Sequence, residues 1–233
     1  MTYDYLIEIR PIIEKYRLKG KIKSLKHKLE LRKTTRVPHL TLVYNFIPKI
    51  SSYKIAELIK DIASGYEELR YSYCDLELKK GDRGHNLVFK IEPSKELREF
   101  RYELYQKLKN SIIENPRVKK FNTASKDDFW FHAAIAIHQD PKKAEKIDDF
   151  IERKESFFDR IFSIFKDSQD KHDSRTRRSL VYPTEVGRIP ILRHGKIAYE
   201  YDKFLNKILK RDDALSGYHR RSTLEAYRKK KHI

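Results

Sequence analysis

Arg36-Val37-Pro38-His39-Leu40-Thr41-Leu42-Val43-Tyr44-Asn45-Phe46 is a β-branched and aromatic run opened by a proline, and the rest of the chain is read outward from it. Pro38 restricts Val37 to an extended conformation and Pro48 closes the run, so the segment predicts a strand. Side chains along a strand alternate faces, which puts His39 and Thr41 on the same side. Later the chain does something similar: Phe129-Trp130-Phe131-His132-Ala133-Ala134-Ile135-Ala136-Ile137-His138, with His132 and Ala134 sharing a face. Each strand offers one imidazole beside a short side chain. Two such strands side by side about an approximate two-fold axis would flank one cleft with both imidazoles. A phosphate held there would meet an acid on one side and a base on the other.

Composition narrows the partners. The 233 residues suffice for one larger domain or two similar lobes around a real core. Lys and Arg number 52 against 34 Asp and Glu, leaving +18. A surplus of that size favours polyanions through counterion release from phosphates; a soluble protein of a lysine-rich proteome is the bland alternative. The single cysteine, Cys74, excludes an intrachain disulfide framework and a multi-cysteine zinc site. No run of about 18 apolar residues is present, and Met-Thr-Tyr-Asp-Tyr is not a signal peptide, so a cytoplasmic protein without a membrane partner is expected.

Periodicity orders the elements around the two histidine strands. Tyr3 to Arg10 predicts a strand, and Leu18, Ile22, Leu25 and Leu29 fall at helical spacing after it. Beyond the His39 strand, Ser51 or Ser52 caps a helix with Ile55, Leu58, Ile59 and Ile62 on its apolar side, ended by Gly65. Two strands, 71–79 and 85–91, are joined across Gly81-Asp82-Arg83-Gly84. Pro93-Ser94 opens a helix burying Leu97, Leu104, Leu108 and Ile112. After the His132 strand, Asp140-Pro141 caps a helix carrying Ile147, Phe150 and Ile151, continued by Phe157 to Phe165. Residues 166–178 predict a surface loop, and 186–192 with 196–201 predict a hairpin. Phe204, Leu205, Ile208 and Leu209 suggest a short helix. Ser222-Thr223-Leu224-Glu225 is a capping-box pattern opening a final basic helix. The order strand, helix, histidine strand, helix, strand thus occurs twice, with one strand left over.

With VPHLTLVYNF and FWFHAAIAI in that order, the sequence resembles the 2H phosphoesterase superfamily, within it the 2′-5′ RNA ligase family, also called RNA 2′,3′-cyclic phosphodiesterases. The resemblance implies an α+β, bilobal fold of two pseudo-symmetric βαβαβ-type lobes with the active site between them. Residues 1–202 would form this interleaved domain, and 203–233 a basic helical extension. It further implies catalysis by His39 as acid and His132 as base, with Thr41, the residue at position 134 and Arg36 at the substrate, and with no metal and no nucleotide cofactor. The expected partners are RNA ends carrying a 2′,3′-cyclic phosphate, tRNA fragments among them, met by a monomer. The second motif departs from the family's His-x-Thr/Ser, because Ala134 stands where the hydroxyl residue should be. An RNA-end binding protein with a decayed second motif is therefore the alternative.

Other residues have plainer readings. His138 reads as a strand-end surface histidine, Cys74 as a buried structural cysteine, and Trp130 and Phe131 as core. The final helix carries Arg220, Arg221, Arg228, Lys229, Lys230 and Lys231. These are phosphate-contact candidates or the solvated face of an amphipathic helix.

Overall fold

The computed structural model describes residues 2–11, 15–34, 38–152 and 183–231. Among these residues ten strands form one sheet in which every pairing is antiparallel: β1 (Tyr5–Ile9), β2 (Leu40–Pro48), β3 (Arg70–Gly81), β4 (Gly84–Pro93), β5 (Ile112–Glu114), β6 (His132–Gln139), β7 (Pro183–Glu185), β8 (Arg188–Arg193), β9 (Lys196–Asp202) and β10 (Lys207–Lys210). Their order is β10-β9-β8-β1-β2-β6-β4-β3-β7, with β5 added to β2. Only Val186 and Gly187 separate β7 from β8, although the two lie on opposite flanks of that order. Two residues span so little distance that the sheet must curl until its flanks meet.

Seven α-helices accompany the sheet among the described residues: α1 (Lys15–Lys28), α2 (Ser52–Ser64), α3 (Lys95–Leu108), α4 (Lys119–Asn122), α5 (Pro141–Glu152), α6 (Arg211–Leu215) and α7 (Gly217–Lys231). Their starts follow capping chemistry. Ser51 Oγ accepts from the Lys54 amide, Ser94 Oγ from Leu97, and Asp140 Oδ1 from Lys143. The apolar stripes go inward: Ile55, Ile59 and Ile62 of α2, and Leu97, Phe100, Leu104 and Leu108 of α3, are all buried. They share one core with Leu40 and Leu42 of β2 and Ala133 and Ile135 of β6.

Three sequence expectations give way to other structure. Residues 204–209 are no helix: Asp202 accepts from the Leu205 amide, Asn206 takes φ 49°, and the chain turns into β10, which pairs with β9. Asp and Asn are turn formers, and their local bonds outweigh the helical spacing of the apolar residues. Ile112 leaves the stripe of α3, which ends at Leu108; a 3-10 turn follows and Ile112 opens β5 against Pro48. The last helix begins earlier than its capping-box pattern, at Gly217, with Ser216 Oγ accepting from His219. Thr223 lies inside that helix, fully buried, its hydroxyl bonded to His219 O and Asp202. The Phe157 to Phe165 helix and the 166–178 loop lie outside the described residues.

Arg101 and α7 hold the curled sheet. Arg101 is fully buried on α3 and donates to the carbonyls of Leu42, Phe121, Asn122 and Ala124, tying β2 to the segment that leads into β6. At the junction of β7 and β8, buried Arg188 donates to Asp202, Ala214 O and Thr223 Oγ1, while Lys230 pairs with Glu185 at 2.6 Å. Helix α7 therefore grips both sides of the point where the flanks join.

Candidate active site

The two histidine segments meet at a single residue pair. Leu40 of β2 faces Ala133 of β6, and beyond that pair the strands part. The far half of β2 is completed by β5 and by the Asn122 side chain, which accepts from Tyr44 N at 2.7 Å and donates to Tyr44 O at 3.0 Å. The far half of β6 is bridged by Thr34, a segment that Gln139 clamps by accepting from Arg32 N and donating to Arg32 O. At the meeting point Leu40, Leu42, Ala133 and Ile135 are buried in the core, whereas His39, Thr41, His132 and Ala134 are all half-buried on the reverse face. In antiparallel register Thr41 lies across from His132, and His39 across from Ala134. The four residues singled out in sequence form one square, with the histidines on its diagonal. Arg36 lies outside the described residues.

Neighbouring strands extend the square. Glu8 of β1 is paired with Thr41, and Lys90 of β4 with His132, so both share the face of the histidines. Glu8 is only 1% exposed; its Oε1 accepts from Arg10 Nε, and its Oε2 lies 3.5 Å from His39 Nε2. Sequence reasoning read this stretch simply as a strand. The available signal was a carboxylate between Ile7 and Ile9, a position from which a charge enters the interior only with a partner.

His132 is covered by an aromatic ring, with Glu77 acting on it electrostatically. Trp130 stacks on its ring with centroids 3.9 Å apart and planes 14° from parallel, and Lys79 lies over the indole. Burial lowers the His132 pKa and the charge of His39 lowers it further, against a raising contribution from the Trp130 carbonyl. That carbonyl is 3.2 Å from Nδ1. A carbonyl only accepts, so Nδ1 carries the hydrogen and Nε2 keeps the lone pair of a neutral ring. Trp130 is thus half-buried against the site, while Phe131 is core at 3% exposed. A neutral imidazole diagonal to one that faces a carboxylate can take a proton on one side of a bound group and return one on the other.

The remaining candidates lie elsewhere. Cys74 is half-buried in β3, and burial pushes its thiol up, away from nucleophilic character. His138 adopts φ 55° at the far end of β6, where its amide donates to Asn86. Gly84 packs there so closely that a Cβ would sit 2.7 Å from Gln139 O. In the tail, Lys230 and Lys231 both pair with Glu185. Two of the six proposed phosphate contacts are therefore engaged within the fold. No helix of the described residues is long and apolar enough to cross a membrane. Compared with known proteins, the sequence matches no family model and no curated protein.

Proposed function

We propose that the protein is a metal-independent phosphoesterase of RNA ends, built on the 2H plan, which hydrolyses a 2′,3′-cyclic phosphate to a 2′-phosphate. The observation that carries this reading is the Leu40–Ala133 pair, around which His39, Thr41, His132 and Ala134 share one face. The bilobal reading is supported by reciprocity in the pairing. The segment upstream of β2 runs along β6 through Thr34, and the segment upstream of β6 runs along β2 through β5 and Asn122. A rotation exchanging β2 with β6 also exchanges their outer neighbours β1 and β4, then β8 and β3.

In this reaction Nε2 of His132 takes a proton from water as the water oxygen forms its bond to phosphorus. The bond from phosphorus to O3′ breaks, and His39 supplies the proton that O3′ needs, leaving the phosphate on O2′. Thr41 donates to a phosphate oxygen. With a 5′-hydroxyl in place of water as the nucleophile, the same step would join two ends by a 2′-5′ linkage, O3′ again leaving with the proton from His39. The +18 charge draws the RNA in. Ala134 favours a second reading, an RNA-end binding protein without turnover, since the hydroxyl partner of His132 is missing.

Incubation with a short RNA ending in a 2′,3′-cyclic phosphate, in the presence of EDTA, separates the two. Conversion to the 2′-phosphate supports the esterase; saturable binding with release of unchanged RNA supports the binder.

A further inference from the structure

The carboxylate behind His39 has no role in the scheme so far. Glu8 is almost entirely buried, and its Oε2 has no hydrogen-bond partner. That oxygen points at His39 Nε2 across 3.5 Å, slightly too far for a hydrogen bond and near enough for a small rotation of the ring to close one. Its other oxygen is bonded to Arg10, and Glu8 pairs with Thr41 next to a register shift near the end of β1. His39 itself is 32% exposed at the side chain, so the carboxylate lies on its inner side and solvent on its outer side. A buried carboxylate oxygen without a donor is costly, and the His39 ring is placed to bring an N–H to it.

We infer that Glu8 is a positioning residue for His39: its carboxylate orients the ring and stays ionised while His39 carries and delivers the proton of the reaction. Arg10 holds the carboxylate in place. A substrate phosphate is not touched by Glu8, so the effect belongs to turnover and not to binding. This inference rests on the phosphoesterase reading for its consequence, and on the Glu8–His39 geometry alone for its physical content.

The test uses the full chain and the isosteric Glu8→Gln variant. With cyclic-phosphate RNA, kcat falls about 10-fold while KM stays within about two-fold, because a positioned acid contributes roughly 10² to 10⁴ and only part of that depends on orientation. In a His39→Asn background the same change costs nothing further. Ring-nitrogen NMR supplies the readout that a merely structural role would not move: the His39 nitrogens shift in Glu8→Gln, those of His132 do not, and Glu8→Asp, which keeps the charge, shifts them less. Should Glu8→Gln fail to fold, Glu8→Asp against wild type carries the comparison. His39 nitrogens that stay in place in every folded Glu8 variant overturn the assignment, as does an undiminished loss in the His39→Asn background. Wild-type protein that leaves cyclic-phosphate RNA unchanged overturns the phosphoesterase reading, and the nitrogen shifts still decide the role of Glu8.

Discussion

The two histidines occupy equivalent places at the starts of β2 and β6, yet their surroundings are opposite in kind. His39 looks onto Glu8 and Arg10 and has the Thr41 hydroxyl along its strand. His132 is stacked under Trp130, held by a backbone carbonyl, and has Ala134 along its strand. One half of the square faces a buried carboxylate; the other is covered by an apolar ring, with Lys90, Lys79 and Glu77 at its edge. Burial under that ring lowers the His132 pKa, which suits a ring that must stay neutral. The asymmetry bears on the proposed split of acid and base between the two rings, which the motifs by themselves leave symmetric.

Removing either ring breaks the comparison outright. His39→Ala and His132→Ala should each lower turnover of a cyclic-phosphate RNA by at least about 10², with circular dichroism unchanged. Near wild-type rates in both would remove the site. Restoring symmetry should sharpen it: Ala134→Thr puts a hydroxyl where His132 lacks one, and kcat/KM should rise about 10-fold, the lower end of a hydrogen bond to a charged oxygen. Ala134→Val, of similar shape without the hydroxyl, should not follow; equal rates for the two would mean residue 134 does not reach the phosphate.

Exposing the apolar side should give a smaller, pH-dependent effect. Trp130→Ala removes the cover that lowers the His132 pKa, returning it toward the ordinary imidazole range. A base works only when deprotonated, so the acid limb of kcat/KM should move to higher pH and activity near pH 6 should fall a few-fold. A limb that stays in place would detach His132 from it. The smallest effect lies at the far end of the ionic side. Burial pushes Glu200, beside Arg188 and within the field of Arg10, up to about 7 from an ordinary value of 4.5. The folded state then binds the proton more tightly than the unfolded one. The stability this contributes is full below about 4.5 and is lost as pH rises through about 7. Glu200→Gln should therefore match wild type in Tm at pH 5 and exceed it at pH 8, and a constant difference would contradict this.

The histidine strands were legible because alternation and flanking prolines are local signals: His39 and Thr41 on one face, Leu40 and Leu42 on the other, follow from the pleat alone. The repeated element order and the cap residues Ser51, Ser94 and Asp140 were legible for the same reason. What escaped depends on contacts between distant segments. Nothing near Glu8 in sequence announces His39, since the pair is made by strand register across 31 residues of chain. Arg101 sits within an apolar helical stripe, and its acceptors come from β2 and the 121–124 turn. The tail's lysines read as free cations because Glu185, their partner, lies more than 40 residues upstream. The turn at Asn206 was masked by apolar residues whose spacing fits helix and hairpin alike.

In the proposed reaction water attacks phosphorus while O3′ departs between two imidazoles. Hydrolysis of a 2′,3′-cyclic-phosphate RNA in ¹⁸O-water with EDTA, followed by mass and positional analysis of the product, tests it directly. The account predicts a 2′-phosphate carrying one ¹⁸O, formed by wild type and lost in both histidine variants. A labelled 3′-phosphate, or RNA recovered with its cyclic phosphate intact, would contradict it.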